Sequence, residues 1–219
     1  MITAALFDVD GVLLDTVPYH FEAWRRMCAD HGKTITFEDY LEKLNGLPRL
    51  TGIKNVFPDK TDEELEHLAA LKQAYFTSAI DERPPTPLAG VVKLLEIFKS
   101  MSIVCAAASS SKNAPALLKN ANLSQYFEVI IGGNDFKEPK PSPDIFLTAA
   151  TLLGESPRGC VVFEDATIGI HAAKNASMKS IGLTRSKDPD IADAADVSID
   201  SLNDHREILS HISSFNSHA

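Results

Sequence analysis

Apolar positions along this chain follow two different periods. Ala4-Ala5-Leu6-Phe7 is an unbroken apolar run at the amino end, the pattern of a strand covered on both faces, as in parallel sheets. Short runs of the same kind recur at 102–108, 129–131, 159–163 and 180–183. Between them, as over 91–98 and 144–153, apolar residues recur at helical spacing. The alternation predicts an α/β fold, with an open parallel sheet flanked by crossover helices. From 18 to 80 the strand pattern is lost. There Phe21, Trp24, Met27 and Cys28 trace one helical face ending near Gly32, and Thr61 with Glu64 forms a capping-box pattern ahead of Leu65, Leu68 and Phe76. The prediction is a catalytic core of residues 1–14 and 84–219 carrying an inserted helical cap of residues 15–83, which rejoins the core through Arg83-Pro84-Pro85-Thr86-Pro87. Two connections to the core suit a cap that opens and closes.

Composition narrows the classes. At 219 residues and 44% hydrophobic content, the chain can bury a substantial core. A formal charge of −9 argues against broad nucleic-acid binding or adsorption to anionic membranes, since both need a basic surface. No apolar run reaches spanning length. Cys28, Cys105 and Cys160 are odd in number and two lie in apolar strand patterns, so buried thiols of a reducing compartment are expected rather than disulfides. The amino terminus leads straight into the first strand, and the expectation is a cytoplasmic monomer.

The candidate chemistry lies where apolar runs stop. After Phe7 come Asp8-Val9-Asp10-Gly11, closing at Asp15-Thr16 in a DxDGxxxDT pattern. Ligands of parallel sheets bind beyond the carboxyl ends of strands. An ionised Asp8 needs no base to attack phosphorus, and Asp10 is placed to protonate a leaving oxygen. The run 159–163 likewise delivers Glu164-Asp165, with Asp165 a third metal ligand and Glu164 either a ligand, an outer acceptor or a helix-start acid. Mg2+ fits this set, because it takes oxygen ligands and keeps waters beside one or two carboxylates. Ser109-Ser110-Ser111-Lys112-Asn113 follows another strand and offers hydroxyls, N–H groups and an ammonium to an oxyanion. Ser110 or Ser111 could equally be a helix cap. Lys140 lies in a proline-rich loop where Ser142 and Pro143 resemble an N-cap and first helical position. From there its ammonium can neutralise charge on Asp8 and a transferring phosphoryl group.

In this order the segments resemble the four motifs of the haloacid-dehalogenase superfamily. That resemblance implies a Rossmann-like core, with Asp8 as nucleophile, Asp10 as acid/base, and Ser109, Ser110 and Lys140 as phosphate-binding residues. It implies metal binding by Asp8, Asp10, Glu164 and Asp165. Asp10 points to phosphate transfer, because the dehalogenase and phosphonatase branches characteristically lack an aspartate there. Further details, among them residues 19–24, Gly46 followed by Arg49, 109–113 and 140–146, resemble the β-phosphoglucomutases. By that likeness Arg49, Ser111, Lys112 and Asn113 grip a distal phosphate while His20 and Lys72 face the sugar, and a sugar bisphosphate acts as activator. Lys72 also stands in phase with Leu68 and Phe76 on an apolar helix face. Leu47-Pro48 departs from the usual mutase residues. The expected activity is Mg2+-dependent interconversion of β-glucose 1-phosphate and glucose 6-phosphate. The alternatives are a sugar-phosphate phosphatase and, in a different class, a noncatalytic phosphate-binding protein.

Overall fold

The computed structural model describes residues 1–45, 47–133, 135–184 and 190–217; Gly46, part of the cap resemblance, lies outside them. By internal contacts the chain divides into two compact units, Met1–Asp15 with Thr86–Ala219, and Thr16–Pro85.

In the first unit the apolar runs form parallel strands: β1 (Ala4–Phe7), β2 (Val104–Ala108), β3 (Val129–Ile131), β4 (Cys160–Glu164), β5 (Lys179–Leu183) and β6 (Val197–Ile199). Their order is β3-β2-β1-β4-β5-β6. Strand order reverses between β1 and β4, the position where doubly wound sheets open a crevice beyond their carboxyl ends. Register sets what faces that crevice. Phe7 pairs with Ala107 on β2 and with Phe163 on β4, so residues 8, 108 and 164 stand side by side at the carboxyl ends of three neighbouring strands.

The sheet is buried on both faces because each strand alternates between two apolar layers. Ala4, Leu6, Ala106, Ala108 and Val162 pack with Ile145, Phe146, Ala149 and Ala150 of α7 (Asp144–Leu153), and with Ala172 and Ala173 of α8 (Thr167–Asn175). On the other face Phe7 stacks on Phe163, with centroids 4.6 Å apart, and touches Phe98 of α5 (Val91–Ser100). The sheet-flanking helices are completed by α6 (Ala114–Asn120), α9 (Ile191–Ala194) and α10 (His205–Ser217). The chain leaves this unit after Asp15 and re-enters at Thr86, beside Leu14. Leu14 bridges Pro87, and the Leu88 N–H donates to the Leu13 carbonyl at 3.0 Å.

The second unit is a helical insert of α1 (Val17–Asp30), α2 (Phe37–Lys43), α3 (Arg49–Val56) and α4 (Asp62–Glu82). Its own core joins Trp24, Met27 and Cys28 of α1 to Tyr40, Ile53, Leu65, Leu68 and Ala69. The Thr61–Glu64 capping box starts α4: the Glu64 N–H donates to Thr61 Oγ1, and the Glu64 carboxylate accepts from the Thr61 N–H at 2.8 Å. The expected N-cap roles shift elsewhere. Asn113, not Ser110 or Ser111, precedes α6, and Pro143, not Ser142, precedes α7. In each case the serine hydroxyl instead accepts from an N–H two residues on, a local turn that delays the helix. All three cysteines are free and buried.

Candidate active site

A tight turn presents Asp8 and Asp10. The N–H groups of Leu13 and Leu14 both donate to the Val9 carbonyl at 3.0 Å, and the Gly11 N–H donates to the Leu14 carbonyl. Gly11 adopts φ +78°, and a Cβ there would overlap the Asp165 carboxylate. Glycine is required on both counts, for the left-handed turn and for the close approach.

Lys140 enters from the loop between β3 and α7 and is 7% exposed. Its ammonium donates to Asp8 Oδ1 at 2.6 Å and to Glu164 Oε1. Burial opposes that positive charge, but the two carboxylates outweigh it and hold the lysine protonated above its usual range. Glu164 is fixed from behind. Its Oε2 accepts from the N–H groups of Asp165 (2.9 Å) and Ala166 (3.1 Å) at the start of α8. Gly169, one turn into that helix, leaves room that any Cβ would take from the Glu164 carboxylate.

The remaining carboxylates crowd this single cation. Burial pushes the Asp8 carboxyl up to about 7 despite Lys140, with Glu164 and Asp10 adding to the rise. Asp165 is raised well above the ordinary carboxylate range by burial, then by Glu164 and Asp8. Asp8 and Asp165 are thus buried hard-oxygen donors whose joint ionisation would exceed what one ammonium offsets, a set that suits a divalent cation. Among the described residues no group of three His, Cys, Asp or Glu side chains could hold a metal ion. Mg2+ does not need one, since one or two carboxylates, waters and a phosphate complete its shell.

At the end of β2 the Ser109 hydroxyl donates to Asp10 Oδ2 at 3.0 Å and accepts from the Ser111 N–H at 3.0 Å. Its backbone N–H is spent on the Ile131 carbonyl, so Ser109 can donate to an oxyanion only by turning its hydroxyl proton away from Asp10. Ser110 and Lys112 are exposed, and Ser111 and Asn113 half-buried, on the loop beyond. Asp8, Asp10, Ser109, Lys140, Glu164 and Asp165 therefore meet at the carboxyl ends of the central strands.

Within the helical unit, the Lys72 ammonium lies 2.8 Å from His20 Nδ1, and the His20 ring stacks on Phe76 with centroids 4.1 Å apart. Lys72 is buried, as its phase on α4 predicts. Arg49 opens α3 and donates from Nη1 to Gln73 Oε1. Phe76 was legible only as core, and Gln73 carried no signal, because spacing along α4 does not say which residue of another helix faces the amide.

A parallel sheet whose first and fourth strands deliver carboxylates to a buried lysine defines a doubly wound α/β fold with an acid-rich site at its switch point. The chain belongs to the haloacid dehalogenase-like hydrolase family, whose model matches residues 5–183. It is 35% identical over 185 residues to a phosphorylated carbohydrates phosphatase of Thermotoga maritima, covering 81% of this chain and 83% of that protein. It is also 35% identical over 188 residues to the β-phosphoglucomutase of Bacillus subtilis, covering 82% of each. A crystal structure of β-phosphoglucomutase from Clostridium difficile superposes with a TM-score of 0.87 at 33% identity, over 100% of this chain and 99% of that one.

Proposed function

We propose that this protein transfers phosphoryl groups on phosphorylated sugars through an aspartyl-phosphate at Asp8, interconverting β-glucose 1-phosphate and glucose 6-phosphate. The observation that carries the reading is the buried contact of Asp8 with Lys140, itself braced by Glu164, beside an Asp10 held by Ser109. Lys140 occupies Oδ1 and leaves Oδ2 of Asp8 to attack phosphorus. As the Asp8–phosphorus bond forms and the bond to the sugar oxygen breaks, Asp10 gives its proton to the departing oxygen. In the second half Asp10 takes the proton from the accepting hydroxyl, and the phosphoryl group leaves Asp8 for that oxygen. Lys140 and the Ser109 hydroxyl stabilise the transferring group, with Ser110 beside them. Asp8, Asp165 and the Asp10 backbone would hold Mg2+, while Glu164, whose oxygens are engaged by Lys140 and two N–H groups, orients the lysine. When bound, Mg2+ neutralises and orients phosphoryl oxygens.

In this reading His20 and Lys72 are the residues that bind the sugar, and Arg49, Ser111, Lys112 and Asn113 are those that bind a second phosphate. A sugar bisphosphate is the activator in this scheme. The same reading takes the protein to be a cytoplasmic monomer; among the described residues no helix is long and apolar enough to cross a membrane.

A second reading, hydrolysis of a sugar phosphate by the same intermediate, is favoured by Pro48, which stiffens the start of the Arg49 helix, and by the equal likeness to a phosphatase. A coupled isomerisation assay run beside free-phosphate release separates the two. Isomerisation exceeding phosphate release is expected; phosphate release alone assigns the hydrolase. Asp8→Asn is expected to lower either activity by more than about a thousandfold and to remove the phosphate adduct from acid-quenched protein seen by mass spectrometry. An equally active variant would reject the nucleophile.

A further inference from the structure

Among the described residues the Arg49 guanidinium is held from one side only, by Gln73. An arginine donates and never accepts, so the Gln73 amide must turn its oxygen to Nη1, as found. Its amide nitrogen then donates to Thr77 Oγ1 at 3.1 Å, one turn further along α4. The amide orientation is thereby fixed at both ends. Glu66, seven residues before Gln73 and on the same face of α4, adds its negative field to Arg49. Pro48 immediately precedes Arg49 and limits the backbone from which the side chain leaves. Nη1 is cis to Cδ about the Nε–Cζ bond, so among the described residues the contact with Gln73 leaves the opposite edge, Nε with Nη2, uncommitted. Nε is buried, and among the described residues it has no hydrogen-bond partner. That edge is the fork that matches two oxygens of a phosphate or carboxylate.

We propose that Gln73, backed by Thr77, is the positioning residue of Arg49, holding its guanidinium by Nη1 so that the Nε–Nη2 edge is kept for a bidentate oxyanion. This rests on the reading above in one respect: the oxyanion is there the second phosphate of the sugar substrate.

The test uses the full chain and two readouts. Nitrogen-15 spectra of the arginine side chains, with Arg49 assigned through Arg49→Lys, are expected to show its Nε–H set apart and slow to exchange. The signal should shift when inorganic phosphate is added. Gln73→Leu should merge this signal with those of mobile arginines and abolish the phosphate-induced shift, while Gln73→Glu, which keeps an acceptor, restores an ordered signal. In kinetics, Gln73→Leu is expected to raise KM for the phosphorylated hexose about tenfold while leaving kcat for an aryl phosphate unchanged. In an Arg49→Lys background the same change should add nothing further. An ordered Arg49 signal that survives in folded Gln73→Leu, or one already mobile in the wild type, would overturn the proposal. If no phosphorylated hexose is turned over, the functional reading falls, and the spectra still decide the role of Gln73.

Discussion

Lys140 is a cation in a place that is costly for any lysine, and only the carboxylates it faces make that place habitable. Removing it leaves Asp8 and Glu164 buried without a counter-charge. Lys140→Met is therefore expected to destabilise the protein by about 3–5 kcal/mol in denaturant melts and to slow turnover by about a hundredfold or more. Retained stability with lost turnover would make the lysine purely catalytic. Asp8 carries a linked pH effect. Its folded pKa of about 7 lies above the ordinary 3.8, so the folded state binds the proton more tightly than the unfolded one. Stability is then present at low pH and drains as pH rises through that window. In a chelator, Asp8→Asn should remove this slope and melt progressively higher than wild type between pH 5 and about 8. Mg2+ should return stability to the wild type chiefly at the upper end, where Asp8 is ionised. Parallel slopes in the two proteins would show that Asp8 does not titrate across this range.

Elements differ in how openly their residues announce them. The carboxylates of β1 and β4 were legible because each follows an unbroken apolar run. A run of four such residues has few uses other than a strand buried on both faces. The same rule passed over β6, whose Val197-Ser198-Ile199 is too short and too polar at its centre to stand out from the acidic residues before it. Helix starts were legible where two side chains cap each other, as Thr61 and Glu64 do. They slipped by one or more residues where a serine closed a turn of its own, as at Ser111 and Ser142. The Arg49–Gln73 contact was invisible, since it joins two helices whose mutual facing is set by packing rather than by spacing. Thr61→Ala tests the legible case. Losing the hydroxyl acceptor should lower stability by about 1 kcal/mol in denaturant melts, and a neutral outcome would mean that the first turn of α4 is held by packing alone.

Each unit has a buried core of its own, with Met27 fully buried in the helical one. Met27→Ala is expected to cost about 2–5 kcal/mol and, in native-state hydrogen exchange, to strip protection from α1 and α4 while β1, β2 and β4 keep theirs. Equal losses in the strands would show one cooperative structure instead. The bridge of Leu14 to Pro87, with the bond from Leu88 to Leu13, carries a consequence for descent. The sheet-bearing half stitches its own seam at the very place where the chain is interrupted. Whatever is threaded through that gap inherits a finished anchorage, so a piece of another length or shape can take its place while the carboxylates at the ends of β1 and β4 stay as they were.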